Sequence, residues 1–391
     1  MNKKKIIIVN NNLKIGGVQK ALINLLKEIH KNFDITLFLF NLSGEYISEI
    51  PKDVKIIQCE SLYKCFGFSK DESKISKKLY LERNILALIT KIFGRHIAIK
   101  ICNISQKQLK THYDVAISYL HSGSNKSFYG GCNEFILDNV NASKKVSFLH
   151  GDYAKCGANT ERTNKLYHKF DLIAACSEGC RRSFLSVLPD MKSRCKVVPN
   201  CHDFNSYYKR SQENTVIYKK KCINIITIAR LSVEKGIERA LEAVAYIKTK
   251  GISIVYHIIG DGDERRKIEA IILKLGLKEN VVLYGNQDNP YKYIPNADLL
   301  LITSYHEAAP LVIDEAKYFG VPVLSTKTIS ALEMIVNRKI GWVCENDQKS
   351  INNLLLEVTG NLKKLKTKKN EILLQNHDNK IAINAFQKIM E

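Results

Sequence analysis

Acidic residues are scarce in this chain: 39 Asp and Glu stand against 60 Lys and Arg, a formal net charge of +21. Such an excess points to an anionic partner, whether nucleic acid, an anionic membrane surface or a phosphorylated substrate. A Lys- and Asn-rich composition alone would also produce it. Zinc-finger spacing and ribonucleoprotein aromatic motifs are missing, so no nucleic acid is expected. No run of 18 apolar residues exists, and no membrane-spanning helix is predicted. An export signal is not expected either. The apolar core of Met1–Val9 is short and three asparagines follow it, which reads as a first buried strand. The eleven cysteines are odd in number and form no Cys-x-x-Cys pair. That pattern argues for free thiols in a reducing cytoplasm, without disulfides or structural zinc.

What is present is alternation. The 391 residues suit two domains. Strand-like apolar runs alternate with helical periodicity nearly throughout, the pattern of an α/β protein with parallel sheets covered by helices. In the first half strands are expected at Lys5–Val9, Ile35–Phe40, Val54–Gln58, Val115–Tyr119, Val146–Leu149, Leu172–Ala175 and Lys196–Val198, with a helix at Val18–Ile29. Residues 205–221 are polar and basic and read as a linker. A second series follows: strand Ile223–Ile228, helix Ile237–Thr249, strand Ile254–Ile259, helix Glu264–Leu275, strands Val281–Tyr284 and Leu299–Ile302, helix Leu311–Phe319 and strand Val321–Leu324. Lys380–Met390 closes the chain as an amphipathic helix.

Leu79–Ile101 reads as one basic amphipathic helix. Ile85, Leu86, Ile89, Ile92, Phe93 and Ile97 share a face, and Arg83, Lys91 and Arg95 fall on the other. Two readings are open: a helix packed on its own domain, or one lying in the headgroup region of an anionic membrane. The surrounding lysines, Lys70, Lys74, Lys77, Lys78, Lys100, Lys107 and Lys110, favour the second.

Candidate chemistry sits in loops at the carboxyl ends of strands, the edge where parallel sheets bind ligands. Arg230 and Lys235 lie between strand Ile223–Ile228 and the next helix, where two cations and a helix N-terminus can face a diphosphate. Glu307 follows Leu299–Ile302, and Glu315 stands beyond it with seven residues between the two. Carboxylates there can accept hydrogen bonds from sugar or ribose hydroxyls. Gly16 and Gly17 precede the first helix and allow a ligand to approach the backbone. His150 ends a strand before Gly151 and Asp152. Asp261-Gly262-Asp263 presents an Asp-x-Asp, a pattern that elsewhere holds a divalent metal. Its strand–loop–helix setting argues against that use here, and no His/Cys cluster suggests zinc.

Glu307, Pro310, Leu311, Val312, Glu315 and Ala316, together with Arg230-Leu231, Lys235-Gly236, Gly16-Gly17 and Pro199-Asn200, resemble the motifs of the retaining glycosyltransferases of family 4. The resemblance covers nearly the whole chain and is most specific between Ile223 and Val343. It implies two Rossmann-like domains facing across a cleft, the GT-B architecture. The first domain, 1–204, would bind acceptor and the second, 222–377, the nucleotide-sugar; 378–391 would be a terminal helix returning to the first domain. By resemblance Arg230 and Lys235 bind the diphosphate, Glu315 the ribose and Glu307 the donor sugar. His150 would touch the sugar near its reacting carbon, making His150, Arg230, Lys235 and Glu307 the catalytic set. Gly16, Gly17, Gly260, Ala308, Ala309, Pro310, Leu311 and Val312 would complete the donor site. Asp152 and Asn200 would meet the acceptor. Ser177-Glu178 opens a helix as in relatives, where an N-cap serine is explanation enough. No metal or other cofactor is expected, because Arg230 and Lys235 supply the charge.

The expected activity is sugar transfer from a nucleotide-sugar, most often a UDP-sugar in this family, with GDP-mannose second. The acceptor would be a saccharide or lipid-linked saccharide in cell-surface polysaccharide synthesis, in the cytoplasm or at the inner face of its membrane. Two departures keep an inactive partner subunit open as an alternative: Ala308 and Cys201 stand where the family has glycine. Alanine is disfavoured if its position needs positive φ. A basic nucleic-acid-binding protein is the remaining alternative.

Overall fold

Ile6, Ile7, Ile8 and Val9 are wholly buried, as a strand is when it has neighbours on both edges and helices over both faces. They form the centre of β1 (Lys5–Asn10). In the computed structural model, which describes residues 3–219 and 221–391, β1 lies in a seven-stranded sheet. The other strands are β2 (Asp34–Leu39), β3 (Lys55–Gln58), β4 (Leu109–Ser118), β5 (Val140–Leu149), β6 (Leu172–Ala175) and β7 (Cys195–Val197). Their order is β3-β2-β1-β4-β5-β6-β7, and every pairing is parallel. The order reverses between β1 and β4, which opens a crevice at the carboxyl ends of those strands. β4 and β5 begin well before the apolar runs that mark them in the sequence, because their first halves are largely exposed and polar.

The chain divides into two units, one running to His202 and including Asn379–Glu391, the other Asp203–Asp378. Within the first unit the terminal helix Lys380–Met390 buries Ala382, Phe386, Ile389 and Met390. The Phe386 ring meets Phe33 edge-on at 5.9 Å, and Lys4 donates to the Met390 carbonyl at 2.6 Å. Asn379 donates to Glu28 and accepts from the backbone amide of His202.

Leu79–Ile101 is two helices, Lys77–Phe93 and Arg95–Ser105, not one. Gly94 makes the break: its φ is 92°, and a Cβ there would lie 2.5 Å from the Asn125 amide nitrogen. Arg95 does not face solvent. It is buried, donating to the carbonyls of Gly123, Ser124 and Tyr129, with Glu134 3.5 Å away. Arg83 also turns in, to the Phe68 carbonyl. The buried face of the first helix carries Leu79, Leu86 and Thr90; Ile85, Ile92 and Phe93, expected beside Leu86, are exposed.

The second unit holds a six-stranded parallel sheet of order β10-β9-β8-β11-β12-β13. Its strands are β8 (Ile223–Ile228), β9 (Ile254–Ile259), β10 (Val281–Gly285), β11 (Leu299–Ile302), β12 (Val323–Thr326) and β13 (Gly341–Cys344). One apolar layer includes Leu241, Val244, Ile247, Ile351 and Leu355. The other includes Tyr207, Tyr291, Tyr293, Ile313 and Ile372. Residues 205–221 are therefore not a plain linker. They contain most of the helix Phe204–Ser211, whose Tyr207 is fully buried in that second layer. Tyr218 stacks on His257 at 4.1 Å and donates its hydroxyl to the Tyr293 carbonyl at 2.7 Å. Two buried tyrosines thus fix a stretch whose composition is otherwise that of solvent-exposed chain.

Candidate active site

In the second sheet the strand order reverses between β8 and β11, which are direct neighbours. Loops leaving their carboxyl ends must therefore run side by side. The loop after β8 carries Arg230, a short turn Val233–Lys235, and then the helix Ile237–Thr249. The loop after β11 carries Ser304 to Pro310 and leads into the helix Leu311–Tyr318. Lys235 and Glu307, 72 residues apart in sequence, meet there at 2.6 Å from Nζ to Oε1. The Ser304 hydroxyl donates to the same carboxylate oxygen at 2.7 Å. Both side chains are mostly shielded, 23% and 12% exposed, which strengthens a charged contact relative to one in bulk water.

Several bonds fix the approach of the two loops. Gly236 has φ 58°, and a Cβ would stand 2.4 Å from the Thr303 carbonyl oxygen; only glycine fits. The Thr303 hydroxyl donates to the Gly236 carbonyl, and the Tyr305 amide to the Glu234 carbonyl. Gly260 approaches as closely on the other side, where a Cβ would fall 1.9 Å from the Ala229 carbonyl. Of the residues expected at the donor site, Gly260 thus shapes the Arg230 loop by its packing. Asp261, the first acid of the Asp-x-Asp, accepts from the Gly262 amide and from Arg265.

Arg239, not singled out from the sequence, is central to this arrangement. It lies on the first turns of the helix after Gly236 and is only 7% exposed. Its guanidinium donates to the Thr303 carbonyl and, at 2.8 Å, to the Asn346 side chain. It lies 4.0 Å from the centre of the Tyr305 ring, an attractive cation–π geometry. The Tyr305 hydroxyl donates to Glu238, and Asn346 donates to the Tyr305 carbonyl. An arginine on an amphipathic helix reads as a surface residue, so no sequence signal marks it.

The remaining donor-site candidates fall on the same edge. Arg230 is exposed and pairs with Glu234 at 3.1 Å. Ala308 and Ala309 are half-buried in the Glu307 loop, and Pro310 is the N-cap of the helix that carries Leu311, Val312 and the buried Glu315. Ala308 does not have positive φ; among the described non-glycine residues only Asn214 and Lys339 do. The same holds for Cys201, whose buried carbonyl accepts from Asn24. The glycine-to-alanine and glycine-to-cysteine departures therefore bring no backbone strain.

In the first unit Gly16 is the N-cap of the helix Gly17–Ile29 that follows β1, and Gly17 is its first residue. Gly16 is extended, with φ 176°, and nothing lies within 4 Å of a Cβ built on Gly17. A Cβ on Gly16 would stand 2.5 Å from the Gln19 side-chain oxygen, so only Gly17 is free of any packing demand. Lys20, just beyond, is buried and paired with Glu49. His150 follows β5 directly, its ring 4.8 Å from that of Tyr119 and 5.9 Å from that of Phe148. Burial, with His121 adding to it, pushes its pKa down to about 3, so the ring is neutral. It donates to the Tyr119 carbonyl, while its Nε2 is buried without a partner. Asp152 is buried and accepts from the Ser183 hydroxyl. Asn200 is half-buried before Cys201. Ser177 caps the helix Glu178–Val187, accepting from the Cys180 amide.

Residues 209–377, nearly all of the second unit, match the family model for glycosyl transferases group 1. The match lies wholly within the second unit and makes that unit similar to the group 1 glycosyl transferases. An uncharacterized glycosyltransferase of Methanocaldococcus jannaschii is 28% identical over 168 residues, 41% of each chain. The match to the N-acetylgalactosamine-N,N'-diacetylbacillosaminyl-diphospho-undecaprenol 4-alpha-N-acetylgalactosaminyltransferase of Campylobacter jejuni is longer: 23% identity over 86% of this chain and 84% of that one. The structure of HepE from Anabaena, solved with UDP and glucose, superposes with a TM-score of 0.67 at 17% identity, over 99% of this chain and 98% of HepE. The fold is thus the GT-B fold of the glycosyltransferases, two parallel α/β sheets.

Proposed function

We propose that the protein is a retaining glycosyltransferase that moves a sugar from a UDP-sugar to a lipid-carried saccharide in cell-surface polysaccharide synthesis. The observation that carries this reading is the meeting of Lys235 and Glu307 at the switch point of the second sheet, within a unit similar to the group 1 glycosyl transferases. In this reading Lys235 and Arg230 hold the diphosphate and stabilise the charge that grows on it as the glycosidic bond breaks. Glu307 accepts from donor-sugar hydroxyls and Glu315 from the ribose. The leaving phosphate takes the acceptor's proton on the same face of the sugar, which preserves the anomeric configuration. Because His150 is neutral with Nε2 as an acceptor, its part is to receive a hydroxyl hydrogen bond, not to supply charge. Asp152 and Asn200 are assigned to the acceptor. No metal is needed in this scheme, since the two cations neutralise the diphosphate and Asp261 is engaged by Arg265.

The choice of uridine diphosphate is supported by the UDP and glucose in the HepE structure. The lipid-carried acceptor is supported by the diphospho-undecaprenol in the name of the Campylobacter relative. The test is to incubate the full chain with a panel of nucleotide-sugars and a lipid extract, and to determine the anomer of the product. Transfer from a UDP-sugar with retained configuration is expected. An inverted product, or turnover only with a guanosine donor, would overturn the corresponding part of the proposal.

A further inference from the structure

Trp342 is the only tryptophan of the chain. It stands in β13, the edge strand of the second sheet, and is half-buried. It packs in part on the apolar layer that contains Leu241 and Val244. It also lines a cleft of about 370 Å³, whose other walls are Asn361, Lys363, Lys364, Thr367, Lys368 and Glu371. Those residues open or belong to the helix Leu362–Leu373. Spacings of three and four put Lys364, Thr367, Lys368 and Glu371 on one face of it. The helix carries five lysines and a single acid. Lys364 holds its ammonium 5.3 Å from the centre of the Trp342 ring and pairs with Glu357. Lys368 pairs with Glu371. Lys363 is exposed and has no acidic partner among the described residues. The cleft shares no residue with the loops that hold Lys235 and Glu307.

We propose that this cleft is a binding site for an acidic saccharide, a short run of sugar rings bearing carboxylate or phosphate groups. Its polar groups mix donors and acceptors as sugar hydroxyls require: the lysines and Asn361 donate, Glu371 accepts, and the Thr367 hydroxyl does both. The negative face of an indole takes the weakly positive C–H face of a sugar ring. The surplus of lysine, with Lys363 unpaired, selects for an acid on that ring through charge-assisted hydrogen bonds. The volume is that of a small-molecule site. A nucleic acid strand is a poorer occupant, because it is held along an extended basic groove by successive aromatic platforms. Here one aromatic ring is present, and a carboxylate stands in the wall. The inference stands on the residues of the cleft and does not rest on the transfer reaction.

Because Trp342 is the sole tryptophan, intrinsic tryptophan fluorescence reads the cleft directly. The test is titration of the full chain with trigalacturonate, glucose 6-phosphate, neutral maltotriose and a short single-stranded oligonucleotide. A saturable change in emission is expected with an acidic probe and should weaken as salt rises. Which of the two acidic probes binds more tightly tells whether the acid is a carboxylate or a phosphate. Lys363→Gln/Lys368→Gln leaves Lys364 over the indole, so the reporter is preserved. It should bind that probe about tenfold more weakly, the loss of a hydrogen bond to a charged group. The variant should keep the wild-type thermal transition, which separates loss of the site from misfolding. No response to either acidic probe would overturn the proposal, as would equal binding of maltotriose or equal affinity in the variant. Tighter binding of the oligonucleotide than of both acidic sugars would overturn it too and assign the cleft to nucleic acid.

Discussion

At the scale of single residues, the site depends on a cation that touches no substrate in the proposed reaction. Arg239 holds Thr303, Tyr305 and Asn346 together, and so sets where Ser304 and Glu307 stand. Arg239→Lys keeps the charge but loses the planar fork that reaches two partners at once. The expected outcome is a fall in kcat of about tenfold or more with a smaller change in KM for the nucleotide-sugar, since a displaced carboxylate misaligns the reacting geometry. A purely structural role would instead lower the melting temperature and leave the kinetics of the folded fraction intact; steady-state rates beside thermal denaturation distinguish the two. The sequence exposed Lys235 and Glu307 because strand–loop–helix boundaries are legible as changes of periodicity. Their 2.6 Å contact was not legible, because it joins loops 72 residues apart whose neighbourhood is fixed by sheet order. Arg239 and Asn346 were hidden for the same reason.

At the scale of elements, the loops that leave β4 and β5 carry two histidines, His121 and His150, that are held neutral. Burial lowers the pKa of His121 to about 4 and of His150 to about 3, against an ordinary 6.5. Below pH 6.5 the unfolded chain takes up protons that these imidazoles refuse in the fold, so stability is lost as pH falls from about 6.5 toward 4. The slope is at most about 1.4 kcal/mol per pH unit for each ring. Thermal denaturation between pH 7.5 and 5 should show this decline, and His121→Gln should flatten it; an identical slope in the variant would contradict the assignment. The strands that carry such residues were readable where both faces are buried. β8 and β9 run between the same residues as their apolar runs, Ile223–Ile228 and Ile254–Ile259. β13 was missed because all four of its residues are only half-buried, and neither alternation nor an apolar block marks it. The split at Gly94 was missed because periodicity alone continues across it, although the glycine itself was visible.

At the scale of the whole molecule, the alternation of strands and helices was enough for two parallel α/β sheets, since parallel strands covered on both faces read as apolar blocks. The connection between them was misread, because Tyr207 and Tyr218 anchor a stretch whose other residues are polar. Calorimetric titration of uridine diphosphate into the full chain and into Lys235→Ala, with the fold of both verified, tests the central claim most directly. The account predicts binding by the wild type and a loss of about tenfold to a hundredfold in the variant, the worth of one charge-assisted hydrogen bond to a phosphate. Equal affinity in the two proteins, or no binding of any nucleoside diphosphate by the wild type, would contradict it.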